Sequence, residues 1–364
     1  MAPSARRRLF RVAGVLAAVA LGLAAIELVL ALSPTGATFR SWREASITFE
    51  LDAEVDWRLE PRVYSWGTIN AFGFRGPAPE PRRDPGVFRV LALGGSSTFD
   101  LGKTDAETWP ALLEKCLGTL RGRRVEVVNA GTPGWSSWQS RRLLAGRLAS
   151  WDVDLILVDH VFNDLLTFRF ADRAAIIEAW RVNARANEVS PWAHERPVAD
   201  ALSALLPRTV DRVRLALVRR DRAASHAEFV KTWRGQPRAI SPAGPAFYEE
   251  NLEALARLAA ARGVPLALIA EPTLVGPDMS AEEHARLADW VQLPQAEHRR
   301  AWELAWSIGR RVAERHAGEG AFFVDAPARL PPERALFADE VHLTAAGSER
   351  LAAVVAEAVR DHVR

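Results

Sequence analysis

The sequence has one cysteine, Cys116, in 364 residues, so no disulfide can form within the chain. Leu112, Leu113, Cys116, Leu117 and Leu120 stand at helical spacing, which predicts a core thiol, and no neighbouring group marks it as an activated nucleophile. Excess charge of either sign is also missing. Lys plus Arg is 47 against 45 for Asp plus Glu, so the pI near 9.0 reflects near balance, and no nucleic-acid partner is expected. The histidines and acids do not recur at metal-ligand intervals, and the chemistry below needs neither metal nor cofactor. There is no internal repeat and no low-complexity tract beyond an apolar N-terminal run and a proline-rich linker. What remains is 49% hydrophobic, enough for a substantial core in one large domain or two small ones.

The long apolar run is the first positive feature. From Val12 to Leu32 the chain is almost continuously Ala, Leu, Val, Ile and Gly, the length of a membrane-spanning helix. Arg6, Arg7, Arg8 and Arg11 precede it, and the next basic residues are Arg40 and Arg43. The positive-inside rule then puts the N-terminus in the cytoplasm and the bulk of the chain outside. A cleaved signal peptide is the rival, but its apolar region would be shorter, and the candidate site Ala31-Leu32-Ser33 runs into Pro34. A buried soluble helix is a third reading. Glu27 inside the run is expected either near the outer headgroups or protonated, with a contact to a partner helix as the sharper alternative.

Residues 34–85 read as an N-terminal extension ending in the linker Pro77-Ala-Pro-Glu-Pro-Arg-Arg-Asp-Pro85. Beyond it, apolar runs at 88–93, 125–128, 155–158, 264–270 and 321–324 predict strands. Helical patterns fall near 106–120, 136–149, 246–262, 296–316 and 345–362. Apolar strands alternating with helices predict a parallel sheet in a three-layer α/β/α domain over 86–364. The stretch of about 165–245 is too long for a crossover loop and is expected to be a helical insertion. Its basic run, Arg208, Arg212, Arg214, Arg219, Arg220 and Arg222, suits a solvated helix face or anionic headgroups.

In such sheets ligands sit outside the carboxyl ends of the strands, and four motifs fall there. The first strand runs into Gly94-Gly95-Ser96-Ser97, which puts a serine on a tight turn. The second ends in Asn129-Ala-Gly131-Thr-Pro-Gly134, a turn whose backbone N–H can face a ligand. The third ends in Asp159-His160-Val161-Phe162-Asn163-Asp164, which brings a side-chain amide. Ahead of the last helix stands Asp339-Glu340-Val341-His342. A serine hydroxyl needs a base to take its proton, and the base needs a carboxylate to orient it. Each motif alone also reads as an ordinary turn or cap, with Glu340 a solvated neighbour. The 13 tryptophans, Trp135 and Trp138 among them, are expected mainly in packing, with sugar stacking or an acyl pocket as other uses.

These four blocks, in this order, resemble the SGNH hydrolases, the GDSL-type esterase and lipase superfamily. Ile69-Asn70-Ala-Phe-Gly-Phe-Arg75-Gly76 and Thr108-Trp109-Pro110 resemble its membrane-anchored bacterial members. The resemblance implies a flavodoxin-like fold with Ser96 as nucleophile, His342 as base and Asp339 as its orienting acid. It implies an oxyanion hole made of the N–H groups of Ser96 and Gly131 and the side chain of Asn163. Two positions depart from the pattern. Gly95 stands where many members have Asp, and Val161 where many have Gly, the latter able to reshape the oxyanion hole or acyl pocket. The expected function is a membrane-anchored, extracytoplasmic serine ester hydrolase acting on a small-molecule or glycan ester. An O-acyltransferase on surface polysaccharide and an inactive envelope scaffold are the alternatives.

Overall fold

The computed structural model describes residues 3–33, 46–187, 197–287 and 291–363, so Pro34, Arg40 and Arg43 lie outside the described residues. Two compact units emerge, one of residues 1–48 and 187–227, the other of residues 49–186 and 228–364.

The first unit carries helix α1 (Pro3–Leu32). Its segment Arg6–Leu32 is long and apolar enough to cross a membrane, about 40 Å at 1.5 Å per residue. Part of the expected insertion also lies in this unit and is helical. Within the unit, the Glu27 carboxylate accepts the backbone N–H groups of Thr209 (2.7 Å) and Arg208 (3.3 Å). The acid in the apolar run therefore has its partner inside the chain.

The second unit holds a six-stranded sheet in the order β10-β9-β8-β5-β7-β6. Its strands are β5 (Val87–Gly94), β6 (Thr119–Leu120), β7 (Arg123–Gly131), β8 (Leu155–Asp159), β9 (Leu266–Ile269) and β10 (Ala321–Val324). All pair in parallel except the short edge strand β6. Taken in chain order, the five parallel strands lie 2-1-3-4-5, the flavodoxin-like order, and its switch point falls between β5 and β8. Alternate residues of β5 enter different cores: Phe88, Val90 and Ala92 on one face, Leu91 and Leu93 on the other. Both faces are dry, which is why the strands read as apolar runs instead of alternating ones. Helices at Trp109–Leu117 and Ala345–His362 cover one face; those at Ser137–Ala145, Ala243–Ala260 and Gln295–Arg315 cover the other.

One expectation needs correction. Cys116 is exposed. Trp109, Leu113 and Leu117 take the buried stripe at four-residue steps, and Cys116 is rotated off it, while Leu120 has left the helix for β6. The extension, in its described part, is folded. Two hairpins, β1 (Phe49–Asp52) with β2 (Asp56–Leu59) and β3 (Arg62–Tyr64) with β4 (Gly67–Ile69), belong to the second unit, and Val55, Trp57 and Leu59 are fully buried.

Candidate active site

Strand β5 stops at Gly94, and Ser96 opens a single helical turn, Ser96–Phe99. As the first residue of that turn, its N–H has no intrahelical acceptor. The turn lies so close to β7 that a Cβ on Gly131 would sit 2.3 Å from the Phe99 nitrogen. Arg75 holds the far side of the turn. Its buried guanidinium donates to the carbonyls of Phe99 (2.8 Å), Asp100 (3.0 Å) and Lys103, and to Asp105 Oδ1 (2.9 Å). The ring of Phe99 lies 4.6 Å from the guanidinium carbon and that of Trp66 4.9 Å, so the cation contacts both rings of an edge-to-face pair. The arginine of the Asn70 to Gly76 motif thus secures the Ser96 turn from a distant part of the sequence.

His342 and Asp339 come from the loop before the last helix. Asp339 Oδ1 accepts the N–H groups of Val341 (3.0 Å) and His342 (2.9 Å), a local turn that fixes the acid beside the ring. Asp339 Oδ2 lies 2.7 Å from His342 Nδ1, and His342 Nε2 lies 2.8 Å from Ser96 Oγ. The consistent tautomer has Nδ1–H donating to the carboxylate and Nε2 accepting from the serine. Burial pushes the Asp339 carboxyl up, but the hydrogen bonds and charge of His342, with the Val341 N–H, outweigh it and hold the group at about 2. The Asp339 carboxylate is therefore ionised at neutral pH. Lys103 braces the two loops: its ammonium pairs with Asp100 (2.8 Å) and donates to the Leu343 carbonyl (2.5 Å).

The structure places Asn163 near this pair and turns Gly131 away. One N–H of the Asn163 amide donates to the Trp135 carbonyl at 2.7 Å, leaving the other for a ligand. A Cβ on Gly95 would lie 2.7 Å from Asn163 Nδ2 and 3.0 Å from the Trp135 carbonyl oxygen, so the turn 132–135 and Asn163 crowd the residue just before Ser96. In contrast, the Gly131 N–H donates to Asn129 Oδ1 at 3.0 Å and is not offered to a substrate. The Thr132 N–H is taken by the Gly94 carbonyl and the Trp135 N–H by the Thr132 carbonyl, and Pro133 has no N–H. Gly134, held at a φ of 84°, carries the N–H of this turn that has no acceptor among the described residues.

Among the remaining motif residues, Glu340 departs from its expected solvated position. The Val161 side chain is buried in the core and its N–H donates to Glu271 Oε2. Glu340 is buried, since its carbonyl takes the Leu274 N–H (2.8 Å) and the Thr273 hydroxyl (3.0 Å). Its Oε1 lies 2.8 Å from His298 Nε2, but that nitrogen already faces the indole N–H of Trp302 at 3.2 Å, and Oε1 accepts no hydrogen bond. His160 is fully enclosed, its Nε2 2.7 Å from Ser140 Oγ, and burial lowers it to about 3, so it is a neutral core group. Asp164 caps the helix after Trp135 by accepting the N–H (2.9 Å) and hydroxyl (2.6 Å) of Ser137. Trp135 is a core residue that donates to the Trp57 carbonyl at 2.9 Å. Trp138 is partly buried against Phe247, with ring centroids 5.5 Å apart.

Glu271 was not found by sequence reasoning. It lies just past β9 and reaches both the Ser97 and the Phe162 turns. An acid directly after an apolar strand on the site's own edge was the available signal.

No family model matches the chain, and no curated protein matches it. Among solved structures it is similar to an acetylxylan esterase from Geobacillus stearothermophilus, 14% identical over 75% of this chain and 93% of the other, with a TM-score of 0.43. An α/β hydrolase from the metagenome of Lake Arreo is 18% identical over 75% and 95%, with a TM-score of 0.41. A GDSL-like lipase from Bacteroides thetaiotaomicron is 13% identical over 75% and 88%, with a TM-score of 0.39.

Proposed function

We propose that this protein is a serine ester hydrolase of the SGNH type, working through an acyl-enzyme on Ser96. The observation that carries the reading is the continuous contact from Ser96 Oγ through His342 to Asp339, at 2.8 and 2.7 Å. Ser96 Oγ attacks the ester carbonyl as His342 Nε2 takes its proton, and Asp339 holds the resulting imidazolium in place. The oxyanion forms against the N–H of Ser96, the free N–H of Asn163 and the N–H of Gly134, which takes the role first assigned to Gly131. His342 returns the proton to the leaving alcohol, and water then cleaves the acyl-enzyme by the reverse sequence. No metal or cofactor enters any step. We further read α1 as a retained anchor, with the second unit on the extracytoplasmic side, supported by the arginines ahead of it and the length of its apolar segment.

Ser96→Ala tests the reading. Turnover of a short p-nitrophenyl ester and labelling by a fluorophosphonate should both vanish, with the circular dichroism melt unchanged. Turnover that survives the substitution rules out Ser96 as the nucleophile. Running the same assay with a glycan acceptor reports whether an alcohol competes with water for the acyl group.

A further inference from the structure

Glu271 is 4% exposed, yet none of its hydrogen-bond donors is a cation. Oε2 accepts the backbone N–H groups of Val161 and Phe162, each at 2.7 Å, and Oε1 accepts the Ser97 hydroxyl. Ser97 follows Ser96, and Phe162 precedes Asn163. One carboxylate therefore ties the nucleophile turn to the turn that bears the amide donor. Its own backbone is pinned by the Trp306 indole, which donates to the Glu271 carbonyl at 3.0 Å.

The charge on this group can be placed. Burial raises Glu271 above the ordinary carboxylate value, and its three donors and the His342 imidazole only partly oppose the rise. Beside it lies Asp159, fully enclosed, with Oδ2 held by the Thr98 hydroxyl at 3.0 Å and Oδ1 without a partner. Burial, then repulsion from Glu271, raises Asp159 well above the carboxylate range. Two carboxyls this close in a dry site do not both ionise. Three donors against one put the proton on Asp159 and the negative charge on Glu271. The other ionisable groups facing the pair are Asp164, raised to about 7 by burial, Tyr248, raised by burial, and Asp100, which is paired with Lys103.

We propose that Glu271 is a positioning residue for acyl transfer: its buried carboxylate fixes Ser96 and Asn163 in register and holds a negative charge behind the imidazolium of His342. The inference rests on the hydrolase reading. When the Ser96 proton moves to His342 Nε2, the new positive charge has Asp339 at its Nδ1 edge and Glu271 in the low-dielectric interior, where an unsolvated charge acts more strongly.

The test compares Glu271→Gln and Glu271→Ala with wild type in kcat, KM, the pH profile of kcat/KM and the rate of fluorophosphonate labelling. Gln keeps the size and can still accept from the two backbone N–H groups while meeting the Ser97 oxygen with its amide, so the frame stays and the charge goes. We expect kcat to fall about 10-fold or more in Gln and about 100-fold in Ala, with KM within about twofold. The acidic limb of the Gln profile should move to lower pH, because the protonated base has lost a counter-charge. A Gln variant with wild-type kcat and an unmoved limb, whatever its melting temperature, overturns the proposal. If Gln does not fold, Ser97→Ala takes its place: it removes one donor and keeps the charge, and a wild-type kcat there overturns the proposal. Wild type that fails to label at Ser96 defeats the hydrolase reading and this proposal with it. Wild type that labels, alongside a Gln variant labelling at the same rate, defeats only the role of Glu271.

Discussion

Adding a single methyl group at Gly95 should disable the site while leaving the protein folded. The Cβ of an alanine there would lie 2.7 Å from Asn163 Nδ2, where ordinary contacts begin near 3.4 Å, so the amide has to retreat by about 0.7 Å. It cannot do so easily. Its hydrogen bond to the Trp135 carbonyl is already 2.7 Å, and that carbonyl oxygen is itself only 3.0 Å from the added carbon. A misplacement approaching 1 Å in a reacting geometry costs about 10²-fold, and removing one oxyanion donor costs about 10²- to 10³-fold in kcat. Gly95→Ala should therefore lose about 100-fold in kcat on a short p-nitrophenyl ester, with KM little changed. Overpacking of this kind destabilises by about 1–3 kcal/mol, so the variant should still melt cooperatively. Rates should be normalised to sites titrated with a fluorophosphonate. A folded, fully titratable Gly95→Ala with kcat within threefold of wild type would show that Asn163 does not contribute as drawn. The same crowding speaks to the aspartate that stands here in many SGNH hydrolases: in this chain the position is closed to any side chain unless Asn163 moves.

Two further substitutions test the surroundings of the site. Asp164 is raised to about 7 by burial, which outweighs its hydrogen bonds from Ser137. Its contribution is therefore full below the unfolded value of 3.8 and lost as pH rises through about 7, roughly 4 kcal/mol at 1.36 per unit. Urea denaturation at pH 5 and pH 8 should show a smaller drop in stability for Asp164→Asn than for wild type, and equal drops would contradict the assignment. Arg75→Lys should cost about 3 kcal/mol in the same assay, because an ammonium cannot reproduce a fork that reaches three carbonyls and Asp105. A loss under about 1 kcal/mol would mean that the turn after Ser96 holds itself.

The sequence was most readable where function is local. Asp339 and His342 share one turn, and Ser96 stands at the end of an apolar run, so residue type and position identified them before any coordinates. The parallel sheet was readable for a related reason: strands dry on both faces leave unbroken apolar runs. Gly131 misled because the pattern of a strand followed by a glycine turn does not say which N–H is free. The side chain of Asn129, two residues earlier, decides that. Glu271 was hidden because a buried acid is recognisable only from donors that lie far away in sequence, at Ser97, Val161 and Phe162, and Glu340 because the packing that buries it is not visible in its local sequence. The hairpins within residues 49–75 went unpredicted because short hairpins with few apolar residues show weak periodicity, although Trp57 and Arg75 are firmly enclosed side chains of the second unit.

The distance along the chain between Ser96 and His342, 246 residues, has a consequence for biogenesis. At about 5–20 residues per second, the nucleophile leaves the ribosome roughly 12 to 50 seconds before its base. During that interval the serine turn has neither general base nor counter-charge, and a strand order that places β10 at the far edge of the sheet delays the docking of the last loop further. On the proposed reading, the nascent chain is chemically silent toward esters until His342 has docked, and any product truncated before residue 342 stays so.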